Sequence, residues 1–217
     1  MCKCEKDVTP LFTAKDVTVH EKKRIFKQRF AIDQYIVSYK KFSGGETGRL
    51  VREIFERDAN AVAILPYDPV TDEVVLIEQF RPGALNDPVS PWLLEIVAGM
   101  IDKGETPIQA ALRELEEESG IKMTEAHLHY VNAVYPSPGG TSEVVTLYIG
   151  CVNSDNIGSH GGLDCEDEDI RVFKLKAEDA FLLCDSGRIC NCAALVSLMY
   201  LRIHKDRIQK AFLKLRN

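Results

Sequence analysis

Four glutamates fall within five residues, at positions 114 and 116–118, just ahead of Gly120. The stretch around them reads as a helix. Thr106 is an N-cap, Pro107 suits the first helical position, and Gly120 suits the residue just past the end. At about 100° per residue, Glu114, Glu117 and Glu118 share one face. Glu116 points away, and Ile108, Ala111 and Leu115 form the stripe that packs inward. An acidic face here is unfavourable. Like charges one turn apart cost a few tenths of a kcal/mol each, and negative charge in the last turns opposes the helix dipole by about 0.3–1 kcal/mol per charge. Only Arg113, one turn before Glu117, offers local relief. A hard divalent cation removes both penalties, because Mg²⁺ takes oxygen ligands and is held by a few carboxylates together with substrate phosphates. A solvated charged face is the other reading of the same spacing.

The elements that must position this helix can be read from periodicity. Residues ~16–57 read as extended strands with turns. "FAIDQYIVSYKKF" alternates and is rich in β-branched and aromatic residues, "SGGETG" breaks the chain, and "RLVREIFER" returns as a strand. That would be a small antiparallel sheet, marginal alone and in need of a partner surface. "AVAILPY" and "VVLIEQF" flank the turn "DPVTDE" as a hairpin. "PWLLEIVAG" reads as one apolar strand ending at Gly99, and "HLHYVNAVY", "VVTLYIGCV" and "IRVFKL" as further strands. Helical spacing runs through "AALVSLMYLRIHKDRIQKAFLKL", and a shorter helix covers "AEDAFLLCDS". Strands and helices without strict alternation predict an α+β, mixed-sheet sandwich.

Composition narrows the classes. The 217 residues carry 45% hydrophobic and 28% charged side chains, the balance of a soluble globular protein with one substantial core, or one core plus a small accessory domain. A net charge of −6 and the lack of a basic block argue against a nucleic-acid binder. The basic stretches "HEKKRIFKQR" and "LRIHKDRIQKAFLKLR" mix charge with apolar residues and read as solvated faces. No run approaches the ~18 apolar residues of a membrane span, and "MCKCEKDV" lacks the apolar core of a signal peptide. The seven cysteines are odd in number and irregular in spacing, which fits a cytoplasmic, reducing setting. Cys2/Cys4 and Cys190/Cys192 lack the spacing and second ligand pair of a zinc site.

The full run "GMIDKGETPIQAALRELEEESGI" is Gly99, five residues, Glu105, seven residues, Arg113-Glu114-Leu115, one residue, Glu117-Glu118, one residue, Gly120-Ile121. It resembles the signature of the Nudix hydrolases at all nine fixed positions. The resemblance implies a Nudix-type α/β/α sandwich with a mixed sheet, and a loop–helix–loop that binds Mg²⁺ (Mn²⁺ as substitute) and hydrolyses a nucleoside diphosphate linked to another moiety. By position, Glu114 and Glu118 look like metal ligands, Glu117 a further or bridging one, and the Ala98 carbonyl another. Arg113 would orient Glu117 and Glu105.

Other segments resemble the ADP-ribose pyrophosphatase branch over residues ~20–205: "IFERDANAVAILPYDP", "DEVVLIEQFR", "PWLLEIVAGMI", "YPSPGGTSE" and "DEDIRV". Pro136 lies fifteen residues past Ile121, a spacing that marks this branch. The resemblance implies hydrolysis of ADP-ribose to AMP and ribose 5-phosphate, with two or three metal ions. GDP-mannose or NADH as substrate, or a non-catalytic ADP-ribose sensor, are the rival readings. It implies Glu166 as general base, Glu143 in reserve for that role, and Glu168 as another metal ligand. It also implies a homodimer whose exchanged N-terminal strands complete the partner's adenine pocket, with residues 1–57 serving dimerisation and adenine, and 58–217 forming the hydrolase domain. Arg29, Phe30, Arg52 and Glu53 would line that pocket, with Arg57 and Arg81 nearby, and Ser137 and Gly139 would touch the terminal ribose or phosphate. Where relatives place an aromatic stacker, this chain has Arg29 followed by Phe30, and a guanidinium plane can also stack on a purine.

Overall fold

The computed structural model describes residues 9–155, 157–163 and 167–216. Glu166 lies outside the described residues, as do Cys2, Cys4 and Cys165. Contacts group the chain into two units: residues up to Asp58 together with Ser137–Ser142, and the remainder.

The first unit is a three-stranded antiparallel sheet of β1 (Val17–Lys27), β2 (Ala31–Tyr39) and β3 (Leu50–Glu56), in that order. Every residue of the edge strand β1 is exposed. On β2 the buried Asp33 gathers the cations of its neighbour strand, with Arg24 Nε donating at 2.7 Å and Lys22 Nζ at 3.1 Å. Segment 137–142 joins this unit by hydrogen bonds: Phe55 N–H donates to the Gly140 carbonyl at 2.8 Å, and Ser142 Oγ donates to the Glu56 side chain at 2.6 Å.

The second unit is built on an eight-stranded mixed sheet. Its strands are β4 (Ala61–Asp68), β5 (Glu73–Phe80), β6 (Trp92–Glu95), β7 (Val97–Met100), β8 (Leu128–Val134), β9 (Val145–Cys151), β10 (His160–Gly161) and β11 (Ile170–Lys176). β4 and β5 form the hairpin the turn residues predict, and β4 pairs β9 in parallel. The run read as one strand, "PWLLEIVAG", is two: β6 pairs β5, whereas β7 pairs β4. The hairpin strands diverge, and the chain changes partner at Ile96. Hydrophobicity alone does not show this, because both halves are equally apolar.

Because side chains alternate across a strand, the sheet buries both faces. Val62, Ile64, Val75 and Ile77 pack with Ala110, Ala111 and Leu115 of α1 (Pro107–Ser119). Ala63, Leu65, Tyr67 and Leu76 pack on the other face with Phe181 of α2 (Ala177–Asp185) and Leu198, Leu201 and Phe212 of α3 (Cys192–Leu215). This is the expected α/β/α sandwich. α1 has the expected ends, with Thr106 and Gln109 in a reciprocal capping box and Gly120 left-handed at φ 69°. Among the described residues, no helix is long and apolar enough to cross a membrane.

Candidate active site

α1 must bury Leu115 and Ala111 under the sheet, and that fixes where its glutamates go. Glu118, one turn beyond Glu114, is carried into the protein and is only 4% exposed. Glu114 and Glu117 are half-buried at its side, while Glu116 faces solvent and pairs with Lys122 at 2.7 Å. The wheel drawn from sequence is therefore the one the helix presents.

Two close approaches hold this face in place. A Cβ at Gly99, on β7, would lie 2.0 Å from the Glu114 carboxyl carbon. A Cβ at Gly161, on β10, would lie 1.8 Å from the Glu118 carbonyl oxygen. Glycine is needed for space at Gly161, where the neighbour is backbone, whereas a side chain at Gly99 would have to displace the movable Glu114 carboxylate. Gly162 N–H also donates to the Glu117 carbonyl at 3.1 Å, which satisfies an acceptor at the helix end. The sequence reading gave Gly161 and Gly162 no role and so missed this packing; the paired glycines were the available signal.

Arg113 organises the acidic cluster. Its Nε and Nη2 donate to Glu105 Oε1 and Oε2, both at 3.0 Å, and Nη2 also donates to the Met100 carbonyl at 2.9 Å. Nη1 reaches Glu114 Oε1 at 2.7 Å and Glu117 Oε2 at 2.9 Å. Arg113 holds the Glu105 carboxyl below its ordinary pKa. Burial instead pushes Glu114 up and drives Glu118 up to about 8. Glu114 and Glu168 add to the Glu118 shift, against one hydrogen bond from Ala98 N–H at 3.0 Å.

A buried carboxyl displaced this far is short of positive charge. Beyond burial, Glu117 and Glu168 push Glu114 further up, and Glu114 and Glu168 do the same to Glu118. Hard oxygen donors confined in this way fit a divalent cation of the Mg²⁺ class. Among the described residues no three acidic, His or Cys side chains already stand as a ligand set. Arg113 Nη1 donates to an oxygen of both Glu114 and Glu117.

The remaining sequence candidates fall into the two units. Arg81, at the end of β5, binds Glu95 through Nε and Nη2. Burial opposes its charge, but Glu95, Glu118 and Glu168 hold its pKa above the ordinary value. Glu168 accepts from Leu163 N–H at 3.4 Å, and Glu143 precedes β9. In the first unit, the Phe30 ring stacks at 5.0 Å on Phe55, with the guanidinium groups of Arg29 and Arg57 5.7 and 5.9 Å from its centre. Arg52 and Glu53 are exposed neighbours on β3 and therefore point to opposite faces. Ser137 caps the turn of its loop, its carbonyl accepting from Gly140 and Thr141 N–H at 3.0 Å, and Gly139 lies exposed in that turn. The sequence reading missed Glu95 and Asn191; a charged residue inside the apolar run "PWLLEIVAG" was the signal for the first.

The NUDIX domain family matches over residues 57–185. The chain is 38% identical over 200 residues to the ADP-ribose pyrophosphatase of Escherichia coli strain K12, covering 91% of this chain and 93% of that protein. It is 37% identical over 204 residues to the ADP-ribose pyrophosphatase of Haemophilus influenzae, covering 93% of each. In fold it is similar to a solved structure described as an ADP compounds hydrolase, with a TM-score of 0.67, 19% identity, and coverage of 90% of this chain and 98% of that one.

Proposed function

Since the chain belongs to the NUDIX domain family, we propose that it is a metal-dependent hydrolase that cuts the pyrophosphate of ADP-ribose into AMP and ribose 5-phosphate. The observation that carries the substrate is the 38% identity to a named ADP-ribose pyrophosphatase across 91% of the chain. The chemistry rests on the buried acidic end of α1.

Glu114, Glu117, Glu118 and Glu168, with the Ala98 carbonyl, would hold Mg²⁺, or Mn²⁺ in its place, as two or three ions. Such ions offset the diphosphate charge, lower the pKa of water and stabilise the charge that develops at phosphorus. The protein supplies the rest. Arg113 keeps Glu114 and Glu117 in their rotamers through its bidentate grip on Glu105. Arg81, read from sequence as near the adenine pocket, feels the charge of Glu118 and Glu168 at the acidic end of α1, and it would bring a cation beside the diphosphate there. Water attacks the adenosyl phosphorus, the bond from that phosphorus to the bridging oxygen breaks, and ribose 5-phosphate leaves with the bridging oxygen. Glu166 takes the proton of the attacking water, with Glu143 as the substitute base. Arg29, Phe30, Arg52, Glu53 and Arg57 receive the adenosine, for which the Phe30–Phe55 pair with its two guanidinium groups offers stacking surface. Ser137 and Gly139 contact the terminal ribose or phosphate.

The working form in this reading is a cytoplasmic homodimer that exchanges N-terminal strands. Its support is β1, an edge strand exposing Val17, Val19, Ile25 and Phe26, which invites pairing with a second copy. The test is a panel of ADP-ribose, ADP-glucose, GDP-mannose and NADH with Mg²⁺, run in ¹⁸O-water. ADP-ribose should be the preferred substrate with the label in AMP. Preference for GDP-mannose or NADH would overturn the substrate, and label in ribose 5-phosphate would overturn the site of attack.

A further inference from the structure

Glu95 is a carboxylate 3% exposed, placed on β6 within an otherwise apolar run. A buried charge is unfavourable unless it is fully paired, and an apolar side chain would suit the strand better. Its pairing is extensive. Oε2 accepts from Arg81 Nη2 at 2.7 Å, from Arg81 Nε at 3.0 Å and from Gln79 Nε2 at 3.3 Å. Oε1 accepts from Asn191 Nδ2 at 2.9 Å. Asn191 is itself fixed, because its Oδ1 caps α3 by accepting from Ala194 N–H at 3.1 Å. A chain of contacts thus runs from the N-terminus of α3 to the guanidinium of Arg81.

We infer that Glu95 and Asn191 are positioning residues: Glu95 clamps the Nε–Nη2 edge of Arg81, Asn191 clamps Glu95, and the Nη1 end of Arg81 is thereby presented to the diphosphate of the substrate. This rests on the ADP-ribose reading above. Among the described residues, both side-chain hydrogen bonds of Arg81 go to Glu95, which leaves Nη1 for another acceptor. The clamp has a second consequence. After Glu95, the anions that act on Arg81 are Glu118 and Glu168. Released from Glu95, the guanidinium would turn towards those carboxylates and be lost to the substrate. A free arginine side chain loses rotamer freedom when it binds, so a clamp that orients it before substrate arrives lowers the cost of binding.

The experiment is a mutant cycle on the full-length protein, reading kcat and KM for ADP-ribose and the calorimetric affinity for its non-hydrolysable α,β-methylene analogue. Glu95→Gln keeps the volume and removes the charge. Asn191→Ser keeps an N-cap oxygen and removes the amide donor, so it stays informative if Glu95→Gln folds poorly. Misplacing a binding group by about 1 Å costs up to about 100-fold, so Glu95→Gln should raise KM and weaken the analogue by about ten- to a hundredfold, and Asn191→Ser by a smaller factor. In an Arg81→Ala background neither substitution should have any further effect. A Glu95→Gln or Asn191→Ser penalty that persists undiminished on top of Arg81→Ala overturns the inference while leaving the proposed function standing. Wild-type KM in Glu95→Gln overturns it as well. Arg81→Ala with unchanged KM removes the diphosphate role of Arg81 and the inference with it. A wild-type protein that neither hydrolyses ADP-ribose nor binds the analogue refutes the proposed function itself.

Discussion

Glu118→Gln separates catalysis from folding and lets the sign of each effect be worked from the structure. Glu118 is 4% exposed and its carboxyl is pushed up to about 8 by burial, from an ordinary value of 4.5. In metal-free protein the folded state therefore keeps a proton that the unfolded chain releases above pH 4.5. The unfolded state binds fewer protons across that window, so stability falls as pH rises from about 4.5 to about 8. Each pH unit costs about 1.4 kcal/mol, which makes the burden about 3 kcal/mol at pH 7. Glutamine has nearly the same shape and cannot ionise, so it is free of this cost. Urea denaturation in EDTA should find the variant and wild type equal near pH 4. At pH 7 the variant should be more stable by up to about 3 kcal/mol. With saturating Mg²⁺ the order should reverse in function: the wild type gains stability by binding the ion, and the variant gains less and turns over at least about 100-fold more slowly. Parallel stability curves for the two proteins from pH 4 to 8 would refute the burial argument. Near-wild-type turnover would remove Glu118 from the metal site.

Other outcomes follow from single contacts. Gly99→Ala sets a methyl against the movable Glu114 carboxylate, so the side chain should swing away, with Tm nearly kept and Mn²⁺ affinity lowered about tenfold or more by electron paramagnetic resonance. Unchanged affinity would separate Glu114 from the ion. Gly161→Ala meets the Glu118 backbone instead, and denaturation should show a loss of about 1–3 kcal/mol. Glu73 is held down to about 2 by the Ser154 hydroxyl first, then by Lys176, Thr71 and Lys174. That stabilisation is present above pH 4.5 and lost as pH falls towards 2. Glu73→Gln should thus cost about 1–3 kcal/mol at pH 7, with the gap closing in acid; a gap that stays constant contradicts the assignment. If the proposed dimer forms through β1, replacing Val19 and Phe26 by lysine should convert it to a monomer in sedimentation velocity, and a dimer left unaltered would place the interface elsewhere.

Much of the site was legible because it is local. Glu114, Glu117 and Glu118 share a face through helix geometry alone, and Thr106, Pro107 and Gly120 mark the ends of that helix whatever packs around it. Those three carboxylates and the Arg113–Glu105 pair all lie within a short stretch of chain, so spacing was enough to group them. Most strands were also legible as strands, since alternation and β-branching are local signals, whereas the two-residue β10 gave no such signal.

Partnership was not. The sequence shows an apolar run from Trp92 to Gly99, but the switch from β5 to β4 at Ile96 depends on how the hairpin strands diverge. Likewise Glu95, Arg81 and Asn191 are far apart in the chain, and no periodicity links a β6 carboxylate to the cap of α3. The chain on its own determined an acidic helix face that a hard cation would suit, because helical phase depends only on residue order. Tertiary structure alone decided how deeply Glu118 is buried, that Gly161 must lack a side chain, and that Arg81 has a carboxylate to hold it. Desolvation and close contact are set by what packs from elsewhere in the chain.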